Sequence, residues 1–80
     1  MSSEEILARV TAVFRDVFDD DKIILTRTMT AEDIDAWDSL SHVSLIVAIE
    51  REFKVKFGLM DIKPLKNVGE FLELVQRKTS

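Results

Sequence analysis

The stretch Trp37-Asp38-Ser39-Leu40-Ser41-His42-Val43-Ser44-Leu45-Ile46-Val47-Ala48-Ile49-Glu50-Arg51-Glu52-Phe53 decides the fold. Leu40, Val43, Leu45, Ile46, Ile49 and Phe53 recur at three- and four-residue intervals, the period of a helix that buries one face. Asp38 and Ser39 both carry side-chain oxygens that can accept from the free amides of a first helical turn. The pattern therefore predicts a helix that opens at Ser39, within a residue, and runs to about Glu52.

Upstream of this helix, residues 19–38 hold no clean period, but Ile23, Ile24, Leu25, Met29, Ile34 and Trp37 offer apolar anchors, so the segment is expected to pack. A loop of this length in a small domain is usually functional. Before it, Ile6, Leu7, Val10, Val13, Phe14, Val17 and Phe18 predict an amphipathic helix between Ser3 and Phe18. Ser2 with Glu5 marks its start as a capping box, and the run Asp19-Asp20-Asp21 ends it, because adjacent acids repel each other and the negative end of the helix dipole.

Downstream, Phe53 to Phe57 alternates apolar and basic residues and reads as a connector closed by Gly58, too short to make a sheet alone. Leu59 to Ile62 predicts one short helical turn before Pro64. Asn67 with Glu70 then caps a final helix whose stripe is Val68, Phe71, Leu72 and Val75, with Arg77 and Lys78 where cations suit the dipole. The expected fold is all-α: a small four-helix bundle of three main helices and a short third one, with a long loop after the first.

Composition agrees. Eighty residues suffice for one domain, 1–80, with one core, and the chain is 46% hydrophobic and 32% charged. Two glycines and one proline leave little punctuation for the turns of a sandwich or barrel. The net charge of −4 opposes nucleic-acid binding and suits transient docking on basic partners. No apolar run approaches membrane-spanning or signal-peptide length, so a cytoplasmic protein without a membrane partner is expected. The absence of cysteine excludes disulfides, thiolate metal sites and a cysteine nucleophile.

The chemistry centres on Asp38-Ser39-Leu40. A helix start offers unpaired amides and a positive dipole end, which would stabilise a phosphate on the Ser39 hydroxyl; the plain alternative is that Ser39 merely caps the helix. His42, the one histidine, invites a serine-histidine reading with Asp38 or Asp35. A helix start in so short a chain offers no evident substrate cleft, and His42 is expected at the surface. The acids Asp19, Asp20, Asp21, Glu32, Asp33 and Asp35 lack the EF-hand pattern, since Ile24 stands where that loop needs glycine; no metal site is assigned. Trp37 is read as a packing anchor.

Trp37-Asp38-Ser39-Leu40, followed by an apolar-periodic helix ending Ala48-Ile49-Glu50-Arg51-Glu52-Phe53, resembles the acyl carrier protein family, and the likeness covers nearly the whole chain. The resemblance implies attachment of 4′-phosphopantetheine from coenzyme A to Ser39 by a phosphopantetheinyl transferase, with Asp38 in transferase recognition and the magnesium-assisted attachment step. The arm would supply the thiol that the chain lacks, and acyl groups would ride on it as thioesters. The implied partners are acyl-loading and acyl-using enzymes of fatty-acid, polyketide or specialised acyl metabolism, served by a monomeric carrier with no catalytic residue of its own. Leu40, Val47, Glu50 and Glu52 are the expected docking contacts.

Carriers of fatty-acid synthesis are similar to one another in having many acids on this helix. Here Ser41, Ser44 and Arg51 stand at positions often acidic there, which suggests a specialised pathway. Carriers of peptide synthetases commonly show two glycines where this chain has Ala36 and Trp37. In such carriers the core can open to shelter cargo, or its own side chains can fill it. The natural-looking ends suggest a free-standing carrier. The competing reading is a small helical interaction module without a prosthetic group, docking through the same helix.

Overall fold

In the computed structural model, which describes residues 2–34, 36–63 and 65–79, the Ser2 hydroxyl accepts from the amide of Glu5 at 3.1 Å and opens helix α1, Ser3–Val17. The helix stops one residue short of Phe18, and Asp19 turns into the left-handed region at φ 51°, a conformation that Asp tolerates better than most residues. α2 spans Ser39–Phe53 and ends at Lys54, left-handed at φ 56°. α3 is the single turn Leu59–Ile62, and α4 runs Val68–Thr79. Among the described residues there is no strand, and Pro64, expected just after the short helix, lies outside them. The architecture is the expected all-helical bundle.

α1 packs on both α2 and α4. Between them lie Ile6, Val10 and Phe14 from α1, Leu45 and Ile49 from α2, and Val68, Phe71, Leu74 and Val75 from α4, all essentially without solvent contact. Phe14 is the hinge of an aromatic cluster, edge-on to Trp37 at 5.4 Å and to Phe71 at 6.0 Å between ring centroids. Such contacts add about 0.5–1.5 kcal/mol each beyond the area they bury.

The long loop joins this core by two devices. Ile23, Leu25 and Trp37 bury their side chains, while Met29 and Ile34 pack partly against the core; Ile24, expected to anchor, is instead 75% exposed. Burial alternates along 23–25, the pattern of a stretch whose successive side chains face opposite sides, so only one alternate set faces inward. Arg15 also donates from Nε to the Ile23 carbonyl at 2.8 Å.

The second device involves α4. Its first amides have no partner within the helix. The loop supplies them: Val68 donates to the Met29 carbonyl at 2.9 Å and Gly69 to the Arg27 carbonyl at 2.8 Å. Asn67 Oδ1 takes the Glu70 amide at 2.9 Å, the cap expected from their spacing, while Glu70 Oε2 reaches back one residue further, to the Lys66 amide at 2.7 Å. Gly69 suits the close approach, since a Cβ there would lie 3.0 Å from the Arg27 carbonyl oxygen and press against it.

Candidate functional site

The loop and α2 meet at Asp38. Its carboxylate, not the Ser39 hydroxyl, caps the helix, accepting from the Ser41 amide at 2.9 Å. Ser41 Oγ donates to the Ala36 carbonyl at 2.6 Å, which fixes the last residues of the loop against the first turn. The hydrogen bonds from Ser41 hold the Asp38 carboxyl below its ordinary pKa, so it is ionised at neutral pH.

Ser39 is therefore the first residue of a helix that another side chain caps. It is exposed, and no described group hydrogen-bonds to its hydroxyl. The backbone ladder starts with His42 donating to the Asp38 carbonyl at 2.9 Å, which leaves the Ser39 and Leu40 amides outside it, at the positive end of the helix dipole. A shallow groove of about 420 Å³ runs past the hydroxyl, lined by Ala31, Trp37, Asp38, Ser39 and His42.

His42 departs from its expected surface position. It is half-buried, and its Nδ1 accepts from the indole Nε1–H of Trp37 at 3.1 Å. The two rings lie within 17° of parallel, and Phe71 meets His42 edge-on at 5.7 Å. An imidazole that accepts at Nδ1 is neutral and carries its proton on Nε2. Burial lowers its pKa, in the same direction as the hydrogen bond requires. This ring faces the core, not the serine, so the arrangement is no serine-histidine pair; Asp35, the other acid considered for it, lies outside the described residues. Spacing carried the signal, because His42 stands three and four residues before Leu45 and Ile46, on the buried side.

The four expected docking residues fall into two kinds. Leu40 is 81% exposed and Val47 40% exposed, and Val43, read as part of the buried stripe, is 59% exposed between them. α2 thus carries two apolar stripes on opposite sides: Leu45, Ile46, Ile49 and Phe53 inward, and Leu40, Val43 and Val47 outward. Both obey the same spacing, which is why periodicity alone merged them. The carboxylates are engaged within the chain. Glu50 Oε2 accepts the Phe57 amide at 2.8 Å, and Glu52 Oε2 accepts from Arg9 Nε at 2.8 Å while Arg9 lies 4.8 Å over the Phe53 ring.

A groove of about 500 Å³ lies between α1 and α4, with Ile6, Leu7, Arg27 and Leu72 in its wall and no residue of α2. Among the described residues no group of three or more His, Asp or Glu side chains is placed to hold a metal, and no helix is long and apolar enough to cross a membrane.

No family model matches the chain. It is 35% identical over 81 residues to an acyl carrier protein of Thermosynechococcus vestitus, across 100% of this chain and 99% of that one. An acyl carrier protein of Cyanidium caldarium is 32% identical over 76 residues, across 94% of this chain and 87% of its own. One from Thermotoga maritima is 29% identical over 77 residues, across 96% and 95%. The solution NMR structure of a holo acyl carrier protein from Geobacter metallireducens matches with a TM-score of 0.84 at 56% identity, covering 90% of this chain and 83% of that one.

Proposed function

This chain belongs to the acyl carrier protein family, and on that premise we propose that Ser39 is the residue to which 4′-phosphopantetheine is attached. The observation that carries the reading is the exposed hydroxyl of Ser39 at the first position of a fifteen-residue helix capped by its neighbour Asp38. A phosphodiester there would meet the positive dipole end of α2 without displacing the Asp38–Ser41 cap or the helical ladder. The arm, when attached, supplies the terminal thiol on which acyl groups are carried, chemistry unavailable to a chain with no cysteine.

The chain's own residues hold and present that arm. Asp38 fixes the first turn and keeps an ionised carboxylate beside the hydroxyl, as a contact for the phosphopantetheinyl transferase. Trp37 and His42 wall the groove on its core side. Leu40 and Val47 give the outward stripe on which acyl-loading and acyl-using enzymes dock, with Glu50 at the groove that ends it and Glu52 turned aside to Arg9 of α1. In this reading residues 1–80 act as one monomeric cytoplasmic carrier domain that serves enzymes and catalyses nothing itself. The acid-poor second helix favours a specialised acyl pathway over housekeeping fatty-acid synthesis. The relatives do not favour an interaction module without a prosthetic group.

The test is intact-protein mass after incubation with coenzyme A, magnesium and a broad-specificity phosphopantetheinyl transferase. The wild type gains one phosphopantetheine, and Ser39→Ala gains none while keeping its stability within about 0.5 kcal/mol, the usual range for an exposed site. A folded wild type that several transferases leave unchanged would overturn the assignment.

A further inference from the structure

Charge is unevenly spread along the chain. Residues 16–38 carry eight acids and two cations, whereas residues 39–66 carry three acids and five cations. The net −4 of the whole molecule therefore hides a stretch of the opposite sign, whose cations lie in the last turn of α2 and in the residues that follow it. Moreover, all three acids of the second segment are committed internally: Glu50 to the Phe57 amide, Glu52 to Arg9, and Asp61 to the Gly58 amide and Lys78.

The cations are placed where they matter. The outward stripe Leu40, Val43 and Val47 ends at a groove of about 410 Å³ walled by Val47, Glu50, Arg51, Lys54, Val55 and Lys56. Arg51 follows Val47 by four residues and shares its side of α2. Arg51, Lys54 and Lys56 are exposed, and none has a carboxylate within ion-pair distance among the described residues. Ionised Asp38 lies beside the Leu40 end of the strip, but the Val47 end, rimmed by three cations without ion-pair partners and one bound carboxylate, repels a basic surface and attracts an acidic one.

We propose that the cognate enzymes of this carrier meet it with an apolar slot bordered by Asp and Glu, in contrast to the basic partners suggested by its overall charge. The proposal rests on the carrier reading and deepens it by giving the chemistry of the partner. Attraction at this rim selects the partner and speeds encounter, while the buried apolar contacts hold the complex.

The experiment uses the holo-protein, loaded to completion and verified by mass, with one acyl-loading enzyme as probe in two forms. One form has a docking face rich in Lys and Arg; in the other those cations are changed to Glu. The wild-type carrier is expected to be acylated with kcat/KM about ten-fold higher by the acidic form, mostly through KM, and raised salt should shrink the gap. Arg51→Glu/Lys54→Glu/Lys56→Glu should reverse the preference, and Lys54→Glu/Lys56→Glu, which spares the last turn of α2, should reduce it. Equal rates with both forms, or preference of the wild type for the basic form, would overturn the proposal. Failure to load the arm in the first step would instead count against the carrier reading.

Discussion

His42 couples the state of one proton to the packing of the core. Its Nδ1 must be unprotonated to accept the Trp37 indole hydrogen, and burial lowers its pKa in the folded chain. Protons therefore bind the unfolded chain first. The stability held by this pair is fully present above the unfolded value, about 6.5, and is lost as pH falls through the lower folded value. Asp38 and Asp61 are also lowered, but from 3.8, so their losses come at more acidic pH. Thermal melts should show the wild type losing stability between pH 7.5 and 5, and His42→Gln, which keeps an acceptor but no titration, showing a flatter profile. Parallel profiles would exclude the role. This residue also marks the limit of reading single positions from sequence. It was expected at the surface although its spacing from Leu45 and Ile46 put it on the buried side; that the indole of Trp37 would fill its acceptor was not legible at all, because the loop's path decides it.

At the scale of elements, helix positions and caps were legible because they rest on local chemistry: Ser2 over Glu5, Asp38 over Ser41, Asn67 over Glu70. Which side of a helix faces the core was legible only where polar residues mark the other side. α1 and α4 are marked in this way; α2, apolar on two sides, is not. Nor could spacing show that the long loop would cap α4, a contact between carbonyls of 27 and 29 and amides of 68 and 69. That junction is specific enough to test. Gly69→Val would bring a branched side chain against the Arg27 carbonyl, where even a Cβ stands at 3.0 Å. Overpacking of this kind costs about 1–3 kcal/mol. Urea unfolding should show that loss, and hydrogen exchange should show the amides of Val68 and Gly69 losing protection first.

The whole molecule, 31 × 26 × 21 Å, has a single shared core whose largest fully buried side chains are Phe14 and Phe71. At about 0.05–0.15 kcal/mol per residue, eighty residues hold a total stability of about 4–12 kcal/mol. Phe71→Ala removes a side chain that touches Phe14, Trp37 and His42, and such truncations cost about 3–5 kcal/mol. That single change should leave the chain at the edge of unfolding, with near-UV circular dichroism from Trp37 lost before helical signal at moderate temperature. Retention of a wild-type melting temperature would show that the aromatic cluster contributes little.

Ser39 contributes almost nothing to any of this. Asp38 closes the helix, and the hydroxyl next to it is left out of every bond that holds the chain together. A molecule lacking that hydroxyl would reach normal abundance, escape degradation and present the same outward stripe to the same enzymes. On the proposed assignment of the arm to Ser39, a cell holding both forms would have the one without the hydroxyl occupying docking sites without delivering cargo, and loss of one oxygen atom would turn a courier into a competitor.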